Sequence, residues 1–296
     1  MKCGIVDIGS NTVQLTVYRY EGSNFRPLLN RWETVGLAGY AENGALTEEG
    51  IRAACRVLED FQTLLGDLEV SDLYVFATAS LRGISNTEQV VEAIRAHTGV
   101  GVELLSGEEE AEYSFRGATW GAPSPAGLMA DIGGGSTELV GYEDGVITST
   151  VSLNVGVVSL FTKFVSGVLP TQAEQGAIRA HAAALLDAQA LSHSKSLLGV
   201  GGSVRAIVRL CNTLSGAEPE NRVISLCEVN FLYNRLAKGD KDALRLILRA
   251  APDRVHTVMP GLILAQEILG RCGAESLTMS ATGVREGYLL SRVMGR

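Results

Sequence analysis

One short pattern, present twice, constrains this chain more than any other feature. Gly127-Leu128-Met129-Ala130-Asp131 is apolar until it ends in an acid. Ile132 follows, then Gly133, Gly134 and Gly135, then the hydroxyl residues Ser136 and Thr137, and Glu138-Leu139-Val140-Gly141-Tyr142 resumes an extended pattern. Strand, glycine turn, strand is a hairpin whose tip has almost no side chains. Glycine lets a backbone approach a ligand closely and adopt positive φ, so consecutive N–H groups can converge on one anion. Ser136 and Thr137 add hydroxyl donors, and Asp131 supplies a carboxylate where a hydrated metal could sit. An ordinary hairpin with a glycine-rich turn would carry the same local signature.

The second copy tips the balance. Near the start stands Asp7-Ile8-Gly9-Ser10-Asn11-Thr12-Val13-Gln14-Leu15-Thr16-Val17-Tyr18, preceded by the apolar Cys3-Gly4-Ile5-Val6. Laid on 131–142, its Asp, Ile, Gly, Leu and Tyr positions coincide, and Ser or Thr occupies both tips. Internal self-similarity of this kind indicates a duplicated unit. Two similar domains facing one phosphate ligand are the simplest outcome.

Length and composition agree with that outcome. A chain of 296 residues suits one large or two medium domains. At 46% hydrophobic and 20% charged it is globular rather than disordered, and no apolar run reaches the roughly 18 residues of a membrane span. The first residues meet Asp7 too early for a secretory signal. Cys3, Cys55, Cys211, Cys227 and Cys272 are scattered without a CxxC pair, as in a reducing compartment, so the cytoplasm is expected. A net charge of −8 argues against a nucleic-acid binder working by bulk electrostatics.

Along the chain, 24–32 is expected as the third strand of a meander, and Thr47 as the N-cap of a helix carrying Ile51, Cys55, Leu58, Phe61 and Leu65, with Gly66 at its stop. A buried strand over 73–78, Ala79-Ser80-Leu81-Arg82, a helix over 86–99 and a strand over 100–105 follow. Ser106 and Glu109 form a capping box at the next helix. That box does not require Glu110, which lies about 100° further round the helix at a strand end. A ligand-facing role for Glu110 therefore stands beside the capping reading. The stretch 120–125 is the expected linker, giving domains 1–121 and 122–296, the last helix packing back on the first domain.

The second half repeats the plan: strands over 127–131, 137–142 and 146–151, a helical stretch over 154–165, and a capping box of Thr171 with Glu174. A strand over 195–199 leads into Gly201-Gly202-Ser203, which serves either close helix packing or an anion. Helices over 228–239, 240–251 and 259–272, a strand over 276–281 and a helix over 284–293 complete an α/β fold with a cleft between two domains. No Walker, dinucleotide or HExxH motif is present, and the four histidines have no ligand spacing. Carboxylates, backbone donors and a hard divalent metal are the chemistry left.

Four segments resemble the exopolyphosphatase/guanosine pentaphosphate phosphohydrolase family, within the actin–Hsp70–sugar kinase superfamily: 7–12, 77–82, 106–111 and 131–138, supported by 201–205 and 283–287. The resemblance runs in order along essentially the whole chain. It implies two similar actin-like (ribonuclease H-like) domains facing a central cleft. It implies Glu110 as the base that activates water, with Arg82 near the scissile phosphate. By the same resemblance Gly9, Ser10, Asn11 and Thr12, then Gly133, Gly134, Gly135, Ser136 and Thr137, cradle phosphate, with Gly201, Gly202 and Ser203 as a further seat. Asp7, Asp131 and Glu138 would handle Mg²⁺ or Mn²⁺. Two departures stand out: Gln14 replaces a basic residue of many relatives, and the chain ends after the core module, which by analogy suggests short polyphosphate chains or a nucleotide substrate.

The function implied is hydrolysis of the terminal phosphoanhydride of inorganic polyphosphate, releasing orthophosphate. Guanosine pentaphosphate 5′-phosphohydrolase is the nearest alternative. A superfamily kinase and a non-catalytic sensor of phosphate compounds are the others. Homodimerisation is left open, and neither nucleic acid nor membrane is expected as a partner.

Overall fold

The computed structural model describes residues 1–121 and 126–295. They form two compact units, one of residues 1–113 together with the C-terminal segment from Arg285, the other Ser114–Val284. The division falls inside a helix, ahead of the border at 121/122 read from the sequence. Residues 122–125 of the expected linker lie outside the described residues.

The first unit opens with a meander: β1 (Lys2–Ile8), β2 (Thr12–Glu21) and β3 (Asn24–Thr34). The two-residue strands β4 (Ala41–Glu42) and β5 (Ala45–Leu46) precede α1 (Glu48–Asp67), β6 (Leu73–Ala77), the single turn α2 (Ala79–Arg82), α3 (Thr87–Thr98) and β7 (Glu103–Leu104). The helix α4 (Gly107–Thr119) starts in this unit. The main sheet runs β3-β2-β1-β6-β7, antiparallel through the meander and parallel from β1 onward.

Alternation along each strand sends Val6, Ile8, Val13 and Leu15 into one core with Cys55, Leu58, Phe61 and Leu65 of α1 and Val90 and Ile94 of α3. The opposite face carries Ile5, Tyr18 and Phe76, also fully buried. The C-terminal segment covers it. There the ring of Tyr288 stacks on Phe76 with centroids 4.9 Å apart, and the Tyr18 hydroxyl donates to buried Glu286.

The second unit repeats the order with β8 (Ala126–Ile132), β9 (Thr137–Glu143) and β10 (Val146–Leu153). Asp144 and Gly145, at φ 50° and 77°, make the two-residue turn between β9 and β10. Then come α5 (Val157–Phe164), α6 (Gln172–Asp187), β11 (Ser196–Val200), α7 (Gly201–Ser215), β12 (Val223–Ser225), α8 (Leu226–Leu236), α9 (Lys241–Ala250), α10 (Val258–Cys272), β13 (Ser276–Met279) and α11 (Val284–Tyr288). Its sheet runs β10-β9-β8-β11-β13-β12. Setting aside β12, each unit has three meander strands, then two strands parallel to the first: the ribonuclease H-like, actin-like arrangement expected.

Some local expectations differ from the structure. Gly66 lies within α1, which runs on to Asp67. One glycine near a helix end costs only about 1 kcal/mol, and the chain leaves the helix at Glu69, φ 54°. The strand expected over 100–105 keeps only Glu103 and Leu104 in the sheet. The last helix becomes a π-helical turn over Leu289–Val293. The sequence reading had no place for β12, a three-residue strand whose pattern is too short to mark one.

Among the described residues no helix is long and apolar enough to cross a membrane. The five cysteines are free thiols; burial pushes those of Cys3 and Cys211 up to about 12.

The capping box at α6 yields a test. Glu174 accepts from the Thr171 N–H at 2.7 Å and from the N–H and hydroxyl of Ser166 at 3.0 and 2.7 Å. These bonds, led by the Thr171 N–H, lower its carboxyl from 4.5 to about 2. A depressed carboxyl stabilises fully above its unfolded value and ceases to do so as pH falls through its folded value. Glu174→Gln should therefore lower the unfolding midpoint at neutral pH. The difference from wild type should shrink from pH 4.5 towards pH 2, as followed by circular dichroism.

Candidate active site

Each hairpin is closed in the same way. In the first unit Gly9 N–H donates to Thr12 C=O at 3.0 Å; in the second, Gly133 N–H donates to Ser136 C=O at 3.0 Å. The carbonyls of each tip are then taken by the segment that follows the meander. Gly36 and Ala38 donate to Asn11 and Ser10 at 2.8 and 3.0 Å. Val157 and Val158, at the start of α5, donate to Gly133 and Gly134 at 3.0 and 2.9 Å. With the carbonyl edge held by protein, the amide edge of each turn is the one that can serve an anion.

In the first unit, Asp7 and Gln14 are cross-strand partners just below the turn. At the ends of the neighbouring parallel strands, Arg82 and Glu110 come together from positions 28 apart in sequence. One guanidinium nitrogen of Arg82 donates to Glu110 Oε2 at 2.9 Å and to the Leu105 carbonyl at 3.0 Å. Glu110 is buried, its side chain 11% exposed. Its neighbour Glu109 is used differently: Ser106 N–H donates to its Oε2 at 2.9 Å, and Glu109 N–H donates to Ser106 Oγ at 3.1 Å. The helix is thus capped by Glu109, and Glu110 stands apart from the cap, held by a cation. Such a carboxylate can accept a proton from water and stay oriented while doing so.

In the second unit, Asp131 and Glu138 are partners across β8 and β9 and share one sheet face. Asp131 accepts a hydrogen bond from Ser114, and buried Glu138 accepts one from Ser152 at 2.9 Å. The Thr137 hydroxyl donates to the Val155 carbonyl at 2.6 Å, so it braces the loop. Ser136 and Ser203 are buried. The glycine pair opening α7 has a steric reason. Gly201, at φ 97°, would place a Cβ 2.9 Å from the Asp131 carboxylate; one on Gly202 would lie 2.6 Å from the guanidinium of Arg254.

Arg254 is a residue the sequence reading missed. Its guanidinium lies against Gly202 and pairs with Asp253 at 3.1 Å. Spatial approach to the glycine pair, 52 positions earlier, is the only signal that finds it. Arg285, quoted above only within a supporting motif, reaches Gln14 at 2.8 Å. A guanidinium therefore stands beside Gln14 in the first unit.

The acids fit a hydrated hard ion better than a closed protein cage. Among the described residues no group of three or more His, Cys, Asp or Glu side chains is close enough to hold a metal. Mg²⁺ keeps several waters and is held by one or two carboxylates plus substrate phosphates. Asp131 with Glu138, and Asp7 in the other unit, are carboxylates of that kind.

A sequence profile described as the Ppx/GppA phosphatase family matches residues 16–295. Exopolyphosphatase 1 of Mycobacterium tuberculosis is 26% identical over 311 residues, covering 99% of this chain and 88% of that protein. A guanosine-5′-triphosphate,3′-diphosphate pyrophosphatase of Aeromonas hydrophila is 28% identical over 292 residues, covering 96% of this chain but 58% of that one. In fold, the chain is similar to the crystal structure of an exopolyphosphatase from Cytophaga hutchinsonii, with TM-score 0.87, 23% identity and coverage of 100% and 98%. A Ppx/GppA family member from Aquifex aeolicus superposes with TM-score 0.81 at 24% identity, covering 99% and 98%.

The packing behind the second hairpin is directly testable. A Cβ on Gly156 would fall 2.4 Å from the backbone of Gly134, a contact no rotamer change can relieve. Gly156→Ala should destabilise the protein by about 1–3 kcal/mol in urea unfolding, the usual cost of overpacking. It should also displace the second loop, lowering any activity that depends on it.

Proposed function

Because the chain belongs to the Ppx/GppA phosphatase family, we propose that it is a metal-dependent exopolyphosphatase, removing the terminal phosphate of inorganic polyphosphate in the cytoplasm. The pairing of Glu110 with Arg82 at 2.9 Å, free of the helix cap, is the observation that carries this reading. It supplies an oriented base at the strand ends, beside a turn whose amide edge suits phosphate. The Mycobacterium relative named an exopolyphosphatase supports the substrate class.

In this reading Glu110 accepts the proton of a water whose oxygen bonds to the terminal phosphorus. The bond from that phosphorus to the bridging oxygen breaks, and the shortened chain leaves with the bridging oxygen. Arg82 keeps the Glu110 carboxylate in one orientation and adds positive charge near the transferring group. Loop 9–12 in one unit and loop 133–137 in the other each offer N–H and hydroxyl donors to phosphate oxygens, which is positioning rather than bond chemistry. Arg254 adds a cation beside the Gly201–Gly202 turn. Asp131 with Glu138 in one unit, or Asp7 in the other, would hold hydrated Mg²⁺ or Mn²⁺, which would neutralise charge on the phosphoryl oxygens when bound.

A second reading has its own support. The Aeromonas relative is named for guanosine-5′-triphosphate,3′-diphosphate, and in that reading the same residues would remove the 5′ γ-phosphate of guanosine pentaphosphate.

Phosphate release by the purified protein with Mg²⁺ decides between the two. Release from polyphosphate should exceed release from guanosine pentaphosphate. Glu110→Gln should bind polyphosphate yet turn over about 10²–10⁴-fold more slowly, the typical loss for a positioned general base. Turnover near wild type in that variant removes Glu110 from the mechanism. Release only from the nucleotide selects the second reading, and tight binding without release from either makes the protein a sensor.

A further inference from the structure

The first hairpin acquires its cation from the other end of the chain. Asp7 and Gln14 are paired across β1 and β2, and the next pair towards the turn, Ile8 with Val13, points into the core. Pleat alternation therefore puts Asp7, Gln14 and the Thr12 side chain on one face. Arg285 lies on that face. Its Nη1 donates to Gln14 Oε1 at 2.8 Å and stands 3.7 Å from Asp7 Oδ2.

These two distances do different things. A separation of 3.7 Å is an ion pair but not a hydrogen bond, so Asp7 attracts the guanidinium without occupying its N–H groups. Gln14 is a neutral acceptor: it orients the guanidinium without cancelling its charge. The Nε of Arg285 is buried and has no hydrogen-bond partner among the described residues. The segment is itself anchored, since Glu286 accepts from Tyr18 and Tyr288 stacks on Phe76. The result is an oriented, charged donor with unused hydrogen-bonding capacity, two residues below a turn suited to an anion.

We propose that Arg285 is a phosphate-binding residue of the first loop, oriented by the amide of Gln14, and that its ligand is a phosphate group of the polyanionic substrate. The proposal rests on the polyphosphate reading above for the identity of that substrate. The competing role is a buried counter-charge for Asp7 and Glu286 that never meets ligand.

Tripolyphosphate is the probe, with binding measured by calorimetry without metal and phosphate release measured with Mg²⁺. Arg285→Gln should weaken binding and raise KM about 10- to 100-fold, the scale of one charged hydrogen bond. Its kcat should change less, and Arg285→Lys should recover part of the loss. Gln14→Glu keeps the arginine but gives it a charged partner, so it should raise KM in the same direction. This variant decides the matter if Arg285→Gln does not fold. Binding at wild-type strength in Arg285→Gln and Gln14→Glu overturns the proposal while leaving the hydrolase reading intact. Wild-type binding that Arg285→Gln abolishes, with no phosphate release from wild type, supports Arg285 and overturns the hydrolase reading. No binding of tripolyphosphate by wild type overturns both.

Discussion

A hydrogen bond of 3.0 Å closes each of the two hairpins, from the first glycine after the acid to the carbonyl three residues on. Much of the site's geometry depends on that closure. It brings the end of one strand and the start of the next into register, so that Asp7 stands opposite Gln14 and Asp131 opposite Glu138. A one-residue slip would send those polar side chains into the core and the apolar ones out. The core face on the other side of each strand makes such a slip costly, and the polar register is held by apolar burial.

The turns themselves are held from behind. In both units the segment after the meander donates backbone N–H groups to the carbonyls of the turn. In the second unit this needs Gly156, because the start of α5 meets the backbone of Gly134 with no room for a side chain. Backbone-to-backbone bracing restrains a loop that has few side chains of its own. A loop rich in glycine is otherwise entropically expensive to order. Preorganised donors are also what an anionic transition state requires.

Charge is placed economically around these turns. Arg82 meets Glu110, Arg254 meets the glycine pair of α7, and Arg285 meets Gln14. Each of these arginines comes from outside the hairpins themselves. An overall charge of −8 therefore says little about local fields, because individual guanidinium groups stand at each of these turns beside single carboxylates.

Much was determined by the sequence alone. An apolar run ending in an acid, then glycine, marked both hairpins; capping boxes marked Thr171 and separated Glu109 from Glu110; duplication marked two similar α/β units. These are local signals, carried by neighbours within a turn or a strand, and local backbone chemistry is enough to read them. Tertiary structure alone decided the rest. The three-residue β12 exists because β13 offers it an edge, and β7 is short because only two residues reach β6. Arg254 and Arg285 take their meaning from partners 52 and 271 positions away, Gly202 and Gln14. A guanidinium's role depends on which backbone or acid it reaches in space. That distance is set by the packing of whole elements, which no local spacing encodes.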